Sequence, residues 1–328
     1  MTAFRTTRRG FQSAALAGLA GLAAPRVLAQ AFPSKPIRIV VPFAAGGVVD
    51  LMGRVIAPKM SADLGQPVVV ENRPGAGATL GADVVAKSPA DGHTVLLGTI
   101  VTHATAQHLS KIGYDPLKDF VPIGFHGFNA NWLLVTPNLP IRTFQEFVAY
   151  ARQNPGKLNY GTPSVGSSSH LSAELLQQTL GLQFQHVPYK GSTPALQDLI
   201  GGQVQFMFDN IGSSTPLVKA GRLRAIATTA GTRVKSAPDV PTIAESGVPG
   251  FEVIGWAAVY APAGTPEDAV GRLNRALNAA LTTPDILAKL NEAGIETRPG
   301  SPADLAAFTR AEHEKWGKVI RAGGIKAE

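Results

Sequence analysis

The chain contains no cysteine. That excludes disulfide bridges, thiolate nucleophiles and Cys-ligated metals. It suits an oxidising compartment, where a stray thiol is a hazard, without requiring one. Charged residues are scarce at 16% and aromatics at 7%, against 45% hydrophobic, a balance that fits a folded globular protein and not a disordered one. No basic run is interleaved with aromatics, so nucleic-acid binding is not expected. The apolar segment 14–24 is short and Gly-rich, and no later stretch reaches the length of a membrane span. None of the seven histidines falls in an HExxH or similar metal spacing, so no metal or cofactor is expected. No repeat of solenoid period is present.

What the chain does have is an uneven charge. The formal net charge is +7, yet residues 1–30 hold Arg5, Arg8, Arg9 and Arg26 and no acid. Without those four, 26 Lys+Arg face 23 Asp+Glu. The order is a basic region around Arg8-Arg9, a moderate apolar segment, then Val27-Leu28-Ala29-Gln30-Ala31. It reads as a secretory signal over residues 1–31, cut after Ala29 or Ala31. The paired arginines, with Phe11 two positions beyond, favour the twin-arginine route over the ordinary secretory one. The mature protein is then exported and soluble.

The remaining length allows two domains with real cores. Strand and helix patterns alternate, as in an α/β protein with largely parallel sheets. Ile37-Arg38-Ile39-Val40-Val41 reads as a strand. The loop Pro42, Phe43, Ala44, Ala45, Gly46 and Gly47 follows, and a helix runs from Val48 to Leu64. The stretch 160–180 repeats the device: the strand end at Tyr160, a loop of Gly161, Thr162, Pro163, Ser164, Val165 and Gly166, and a helix begun by Ser167, Ser168 and Ser169. Serines are good N-caps, and a helix start offers unpaired N–H groups and positive potential. Each loop is a socket for an anion such as a carboxylate or phosphate. The pair is expected to face each other across a cleft.

Elsewhere the pattern gives strands ending at Gly98, at Val135 and at Phe208, and an irregular stretch from Thr99 to Pro116. Separate extended runs are expected at 120–124 and 132–135, and a brief helix at 242–246. Long helices should begin near Pro266 and Asp304.

Several long motifs in order carry a resemblance: PSKPIRIVVPFAAGGVVD, GQPVVVENRPGAGATLGADVVAKSPADGHTVLLGT, NYGTPSVGSSSHLSAELL, HVPYKGSTPALQDLIGGQVQFMFDN and GWAAVYAPAGTP. They resemble the Bug-type extracytoplasmic receptors, the substrate-binding proteins of tripartite tricarboxylate transporters, over nearly the whole mature chain. The resemblance implies an α/β, two-lobed periplasmic binding fold of type II, each lobe a mostly parallel sheet flanked by helices. Residues 32–131 and 254–328 would form one lobe and 132–253 the other. It implies no enzymatic activity and no cofactor. The expected partners are a small organic acid or related metabolite and the membrane carrier subunits of the transporter, with the receptor monomeric and periplasmic.

Carried over by position, the ligand residues are Phe43, Ala44, Ala45, Gly46, Gly47 and Thr99 from the first lobe. From the second they are Thr162, Ser164, Gly166, Ser167, Ser168, His170, Tyr189 and Asp209. Val48-Val49 and Ile100-Val101 replace more polar family residues, which suggests a drier first-lobe subsite and an aromatic or alkyl monocarboxylate. Asp50 either meets a substrate ammonium or answers the helix dipole. Lys190 either pairs with the carboxylate or is solvated. Tyr189 can pack and bond locally. Asp209 stands at a strand's C-terminal end, where open α/β sheets place ligands, or caps the next segment. His170 points at the ligand or holds the loop, and Trp256 is a cleft wall or plain core.

Two other functions use similar parts. A ligand-sensing receptor of a two-component system has the same fold. A serine hydrolase would need Gly two residues before Ser164, where Thr162 stands.

Overall fold

The computed structural model describes residues 32–326. The expected signal lies outside them. Strand β1 (Ile37–Val41) leads to α1 (Val48–Leu64), β2 (Val68–Asn72), α2 (Thr79–Ala86) and β3 (Thr94–Thr99). A wide helical turn at Val101–Thr105 runs into the short α3 (Ala106–Leu109) and then β4 (Phe120–Val135). Next come α4 (Phe144–Gln153), β5 (Leu158–Thr162), α5 (Ser168–Leu180), β6 (Phe184–Pro188) and α6 (Ser192–Ile200). They are followed by β7 (Phe206–Asn210), α7 (Ile211–Lys219) and β8 (Arg224–Thr228). The chain closes with β9 (Ile254–Pro262), α8 (Glu267–Leu281), α9 (Pro284–Glu292), β10 (Glu296–Thr297) and α10 (Pro302–Gly323).

The strand path is β2-β1-β3-β9-β4-β7-β5-β6, with β8 and β10 also on β4. Two parallel triplets, β2-β1-β3 and β7-β5-β6, are joined by antiparallel strands. The join must be antiparallel because the chain passes over and back between lobes. β4 does this alone. It pairs with β9 as far as Ala130 opposite Ile254, then with β7 from Asn131 opposite Asn210. The sequence suggested two short runs here, but they form one strand of 16 residues. Register shifts next to Gly124 and Gly127 absorb the irregular residues without ending it. Thr229 and Val253 tie the return crossing: Thr229 N–H donates to Asn131 O at 2.8 Å, and Thr229 Oγ1 donates to Val253 O at 2.6 Å.

Helix starts follow local chemistry. Thr143 and Glu146 form a reciprocal capping box on α4, and Ser301 and Asp304 do so on α10. On α8, Ala269, Val270, Leu273, Ala276, Leu277, Ala280 and Leu281 are buried, the i, i+3, i+4 stripe of a helix laid on a core. Pro266 stands at the N-cap of α8, not as its first residue. Residues 242–246 form turns, with one bridge from Thr242 to Thr228, and not the expected helix. Ile243 is fully buried there, so packing, and not helical periodicity, fixes that apolar residue. One hydrophobic cluster runs through both lobes, from Val40 and Leu96 by way of Leu133 to Phe206 and Trp316.

Candidate functional site

Strand direction places the site. β1, β2 and β3 are parallel, so Val41, Asn72 and Thr99 end on one edge. β9 and β4 are antiparallel, so Ile254 and Ala130 stand on that same edge. In the second lobe, Asn210, Thr162, Pro188 and Thr228 end β7, β5, β6 and β8 on the edge where β4 enters. The C-terminal ends of both sheets therefore look at the same crossing. The loops after β1, β3, β5, β6 and β7 meet there, the usual ligand position of open α/β sheets.

The first-lobe loop is exposed. Phe43 is half-buried, and Ala44, Ala45, Gly46 and Gly47 are open to solvent. No side chain caps α1 at Gly47, so its first-turn N–H groups keep their positive character. Asp50 is buried and holds the loop from beneath. Its carboxylate accepts from Gly46 N–H, Arg54 Nε and Asn72 Nδ2, each at 2.9 Å. Burial pushes this carboxyl up, but those bonds and the Arg54 charge outweigh it and hold it below the ordinary carboxylate range. The Gly46 amide is thus already paired, and Asp50 is a loop support. Asn72 also donates to Phe43 O at 3.1 Å.

Thr99 is 5% exposed, its N–H taken by Thr102 Oγ1 at 2.8 Å, and its hydroxyl meets no partner among the described residues. Ile100 and Val101 are buried in the core. The drier subsite expected from them is therefore not on the open face, because the wide turn rolls both side chains inward. Val48 and Val49, half-buried against the other core cluster, remain at the loop.

The second-lobe loop is closed on itself. Thr162 is fully buried, its Oγ1 2.7 Å from His186 Nε2. The Ser164 carbonyl accepts from Ser167 Oγ at 2.7 Å, and Ser167 Oγ accepts from His170 N–H at 3.4 Å. Gly166 N–H donates to His170 Nδ1 at 3.1 Å, which leaves the imidazole proton on Nε2, facing Glu174 Oε1 at 3.7 Å. His170 stacks on His186 at 4.0 Å, and Tyr160 stacks on His186 and donates to Glu174 Oε1 at 2.6 Å. Burial, with His186 alongside, lowers His170 to about 3, and burial lowers His186 to about 4. Burial raises Glu174. His170 is a neutral strut under the loop.

Ser168 stands in the first turn of α5, and its Oγ accepts from Asn131 Nδ2 at 3.1 Å. With that lone pair filled, its proton is free for an acceptor in the crossing. Tyr189 donates its hydroxyl to Asp198 at 2.7 Å, and burial and that bond push its pKa up to about 12. Asp209 is 1% exposed and accepts from Ser192 Oγ at 2.7 Å and Ser213 Oγ at 2.6 Å. Burial raises its pKa despite those bonds. Both Tyr189 and Asp209 are spent on protein groups. Lys190 is exposed, and Trp256 is buried, donating to Glu312 at 3.0 Å.

The second-lobe loop touches the first lobe through the turn after β3. Thr105 Oγ1 donates to Gly166 O at 3.2 Å. Gly166 has φ +75°, and a Cβ there would lie 2.4 Å from Leu109 Cδ1. Only glycine fits both the backbone and the contact. Sequence reasoning missed Thr105, Leu109 and Asn131 as parts of this site. Thr105 and Leu109 lie in an irregular stretch and Asn131 within β4, and none of the three carries a motif.

Two α/β lobes joined by crossing strands, with helix starts and hydroxyls turned to the crevice, define a two-lobed binding protein. Among the described residues, no group of three or more His, Cys, Asp or Glu could hold a metal, and no helix is long and apolar enough to cross a membrane. The family described as "Tripartite tricarboxylate transporter family receptor" matches residues 52–325. The protein BugT of Bordetella pertussis is 37% identical over 309 residues, covering 94% of this chain and 94% of that one. A solved structure of an R. palustris protein with adipate has 41% identity and a TM-score of 0.83, over 90% of this chain and 100% of that one. MatC from Rhodopseudomonas palustris, solved with bound malate, has 38% identity and a TM-score of 0.79, over 88% and 100%. The chain belongs to the tripartite tricarboxylate transporter receptor family, whose members are solute-binding receptors.

Proposed function

We propose that this receptor captures a small carboxylate-bearing metabolite between its lobes and hands it to the membrane carrier of a tripartite transporter. The observation that carries the reading is the convergence of two helix starts, those of α1 and α5, on one crossing. The Ser168 hydroxyl and the free first-turn N–H groups of both helices would grip the carboxylate. Asp50 lies in the first turn of α1 but is paired with Arg54, which offsets its repulsion of an anion. The relatives solved with adipate and malate support a carboxylate ligand.

The lobes would be residues 32–131 with 254–328, and 132–253. Closure would turn on the crossing strands at Asn131, Thr229 and Val253. Binding, and not catalysis, is the activity, with the mature chain monomeric in the periplasm after twin-arginine export. Thermal-shift measurements of the mature protein against organic acids test this, because a bound ligand raises stability by mass action. A panel of mono- and dicarboxylates that leaves the melting temperature unmoved would refute the reading.

A further inference from the structure

A cavity of about 330 Å³ lies beside α10, where β10 pairs with β4. Phe128, Ile254 and Phe308 line it, with charged side chains around them. No residue of the loops after β1 or β5 does so. A glycine makes room for the pairing. A Cβ on Gly127 would lie 2.8 Å from Glu296 O, so a larger residue would push β10 off β4.

Glu296 is the register partner of Phe128, so both side chains stand on one face. Arg298, two residues on, lies over aromatic rings. Its guanidinium carbon is 5.3 Å from the Phe125 centroid and 5.4 Å from that of Phe128. Phe308 meets Phe128 edge-on at 5.6 Å and completes an aromatic floor.

The other charges at the cavity are committed. Glu312 Oε2 accepts from Trp256 Nε1 at 3.0 Å and Trp316 Nε1 at 2.8 Å. Lys315 Nζ donates to Glu252 O at 3.2 Å and lies 3.8 Å from Glu312 Oε1. Glu252 turns its carboxylate towards Gly231, where a Cβ would lie 2.8 Å from Oε1. Asp304 is held by Ser301, whose hydroxyl and N–H donate to it at 2.6 and 3.1 Å. Glu296 and Arg298 remain. Both are exposed, they carry opposite charge, and Arg298 is drawn onto the rings instead of onto Glu296.

We propose that this cavity is a second ligand site, outside the crossing, for a small zwitterion with an apolar body, the chemistry of an aromatic or branched amino acid. The guanidinium takes the carboxylate, Glu296 takes the ammonium, and the apolar body lies on Phe128 and Phe308. Each part is required. An anion alone is repelled by Glu296, a cation alone by Arg298, and a zwitterion with no apolar body leaves the rings wet. The site is independent of what the crossing binds.

Calorimetry on the protein tests this with phenylalanine and leucine, set against 3-phenylpropionate, phenethylamine and glycine, each of which lacks one part. Each partial probe should bind at least about fivefold more weakly than phenylalanine, the worth of roughly one exposed charge pair or one apolar contact. Arg298→Gln and Glu296→Gln change exposed side chains, so the fold should hold while affinity for the amino acids falls by about fivefold or more. Ser168→Asp, which disables the proposed carboxylate seat in the crossing, should leave this binding intact. The proposal is overturned if neither amino acid binds, or if any partial probe binds as tightly as phenylalanine. It is equally overturned if Arg298→Gln or Glu296→Gln binds the amino acids as the wild type does. Loss of their binding in Ser168→Asp would put them in the crossing and overturn it too.

Discussion

The two loops that face the crossing are built from the same local pattern, a strand, a small-residue turn and a helix start, yet they differ in how they are held. The loop after β1 is exposed from Ala44 to Gly47 and rests on one buried carboxylate, Asp50. The loop after β5 is bonded internally at Thr162, Ser164, Gly166 and Ser167, and stands on a stack of His170, His186 and Tyr160. Motif similarity therefore does not imply mechanical similarity. In the proposed reading the more heavily bonded second-lobe loop is the seat and the exposed first-lobe loop the flap, with docking on α5 followed by closure of α1.

The largest expected effect lies at this seat. Ser168→Asp places a negative charge at the proposed carboxylate site, and calorimetry should show affinity lost by about a hundredfold or more. Retained affinity would mean that the two loops do not share a ligand. Gly166→Ala comes next. It forces a left-handed alanine against Leu109, and should cost about 2–4 kcal/mol in denaturant unfolding, combining backbone strain and overpacking. A negligible change would show that the contact between the lobes is soft.

Acid should then weaken both lobes. Burial holds His170 and His186 at about 3 and 4 in the second lobe, and His103 and His126 at about 3 and 4 in the first. Above the ordinary imidazole pKa of about 6.5, folded and unfolded states are both neutral there and stability is flat in pH. As pH falls from about 6.5 towards 4, the unfolded chain takes protons that the folded one refuses, so stability falls, by at most about 1.4 kcal/mol per pH unit for each group. His186→Gln should flatten this slope in chemical denaturation at stepped pH. An equally steep slope would remove the stack as a source of the acid sensitivity.

Asp50→Asn tests the flap. It turns one accepting carboxylate oxygen into a donor facing other donors, so the melting temperature should fall and affinity should drop about tenfold. A drop confined to stability would make Asp50 a helix support only. The smallest effect is expected for Lys190→Met. Lys190 is exposed, and binding should change by less than about threefold at physiological salt. A larger loss would bring this lysine to the ligand and the second-lobe seat would be wider than drawn.

Local signals were legible where a cap or a periodicity forced them. Helix α1 and strand β1 fall where the sequence put them. The turn at 101–105 and the pairing of 120–124 with 132–135 into one strand were not legible. Both depend on residues far along the chain: Tyr114 donates to Thr102 O, His313 lies 3.2 Å from His103 O, and β9 runs alongside β4. Among the site residues, the sequence marked the loops but not the fate of their polar groups. Tyr189 and Asp209 looked available to a ligand and are committed to Asp198, Ser192 and Ser213.

The amino-acid order alone settled most element types, the lack of any thiol, and the two strand–loop–helix turns, because caps, turns and apolar spacing act over a few residues. Only the folded chain decided which of those groups remain unspent. Hydrogen-bond satisfaction is a property of neighbours in space, and β4, passing from one sheet to the other at Asn131, is what makes distant residues neighbours.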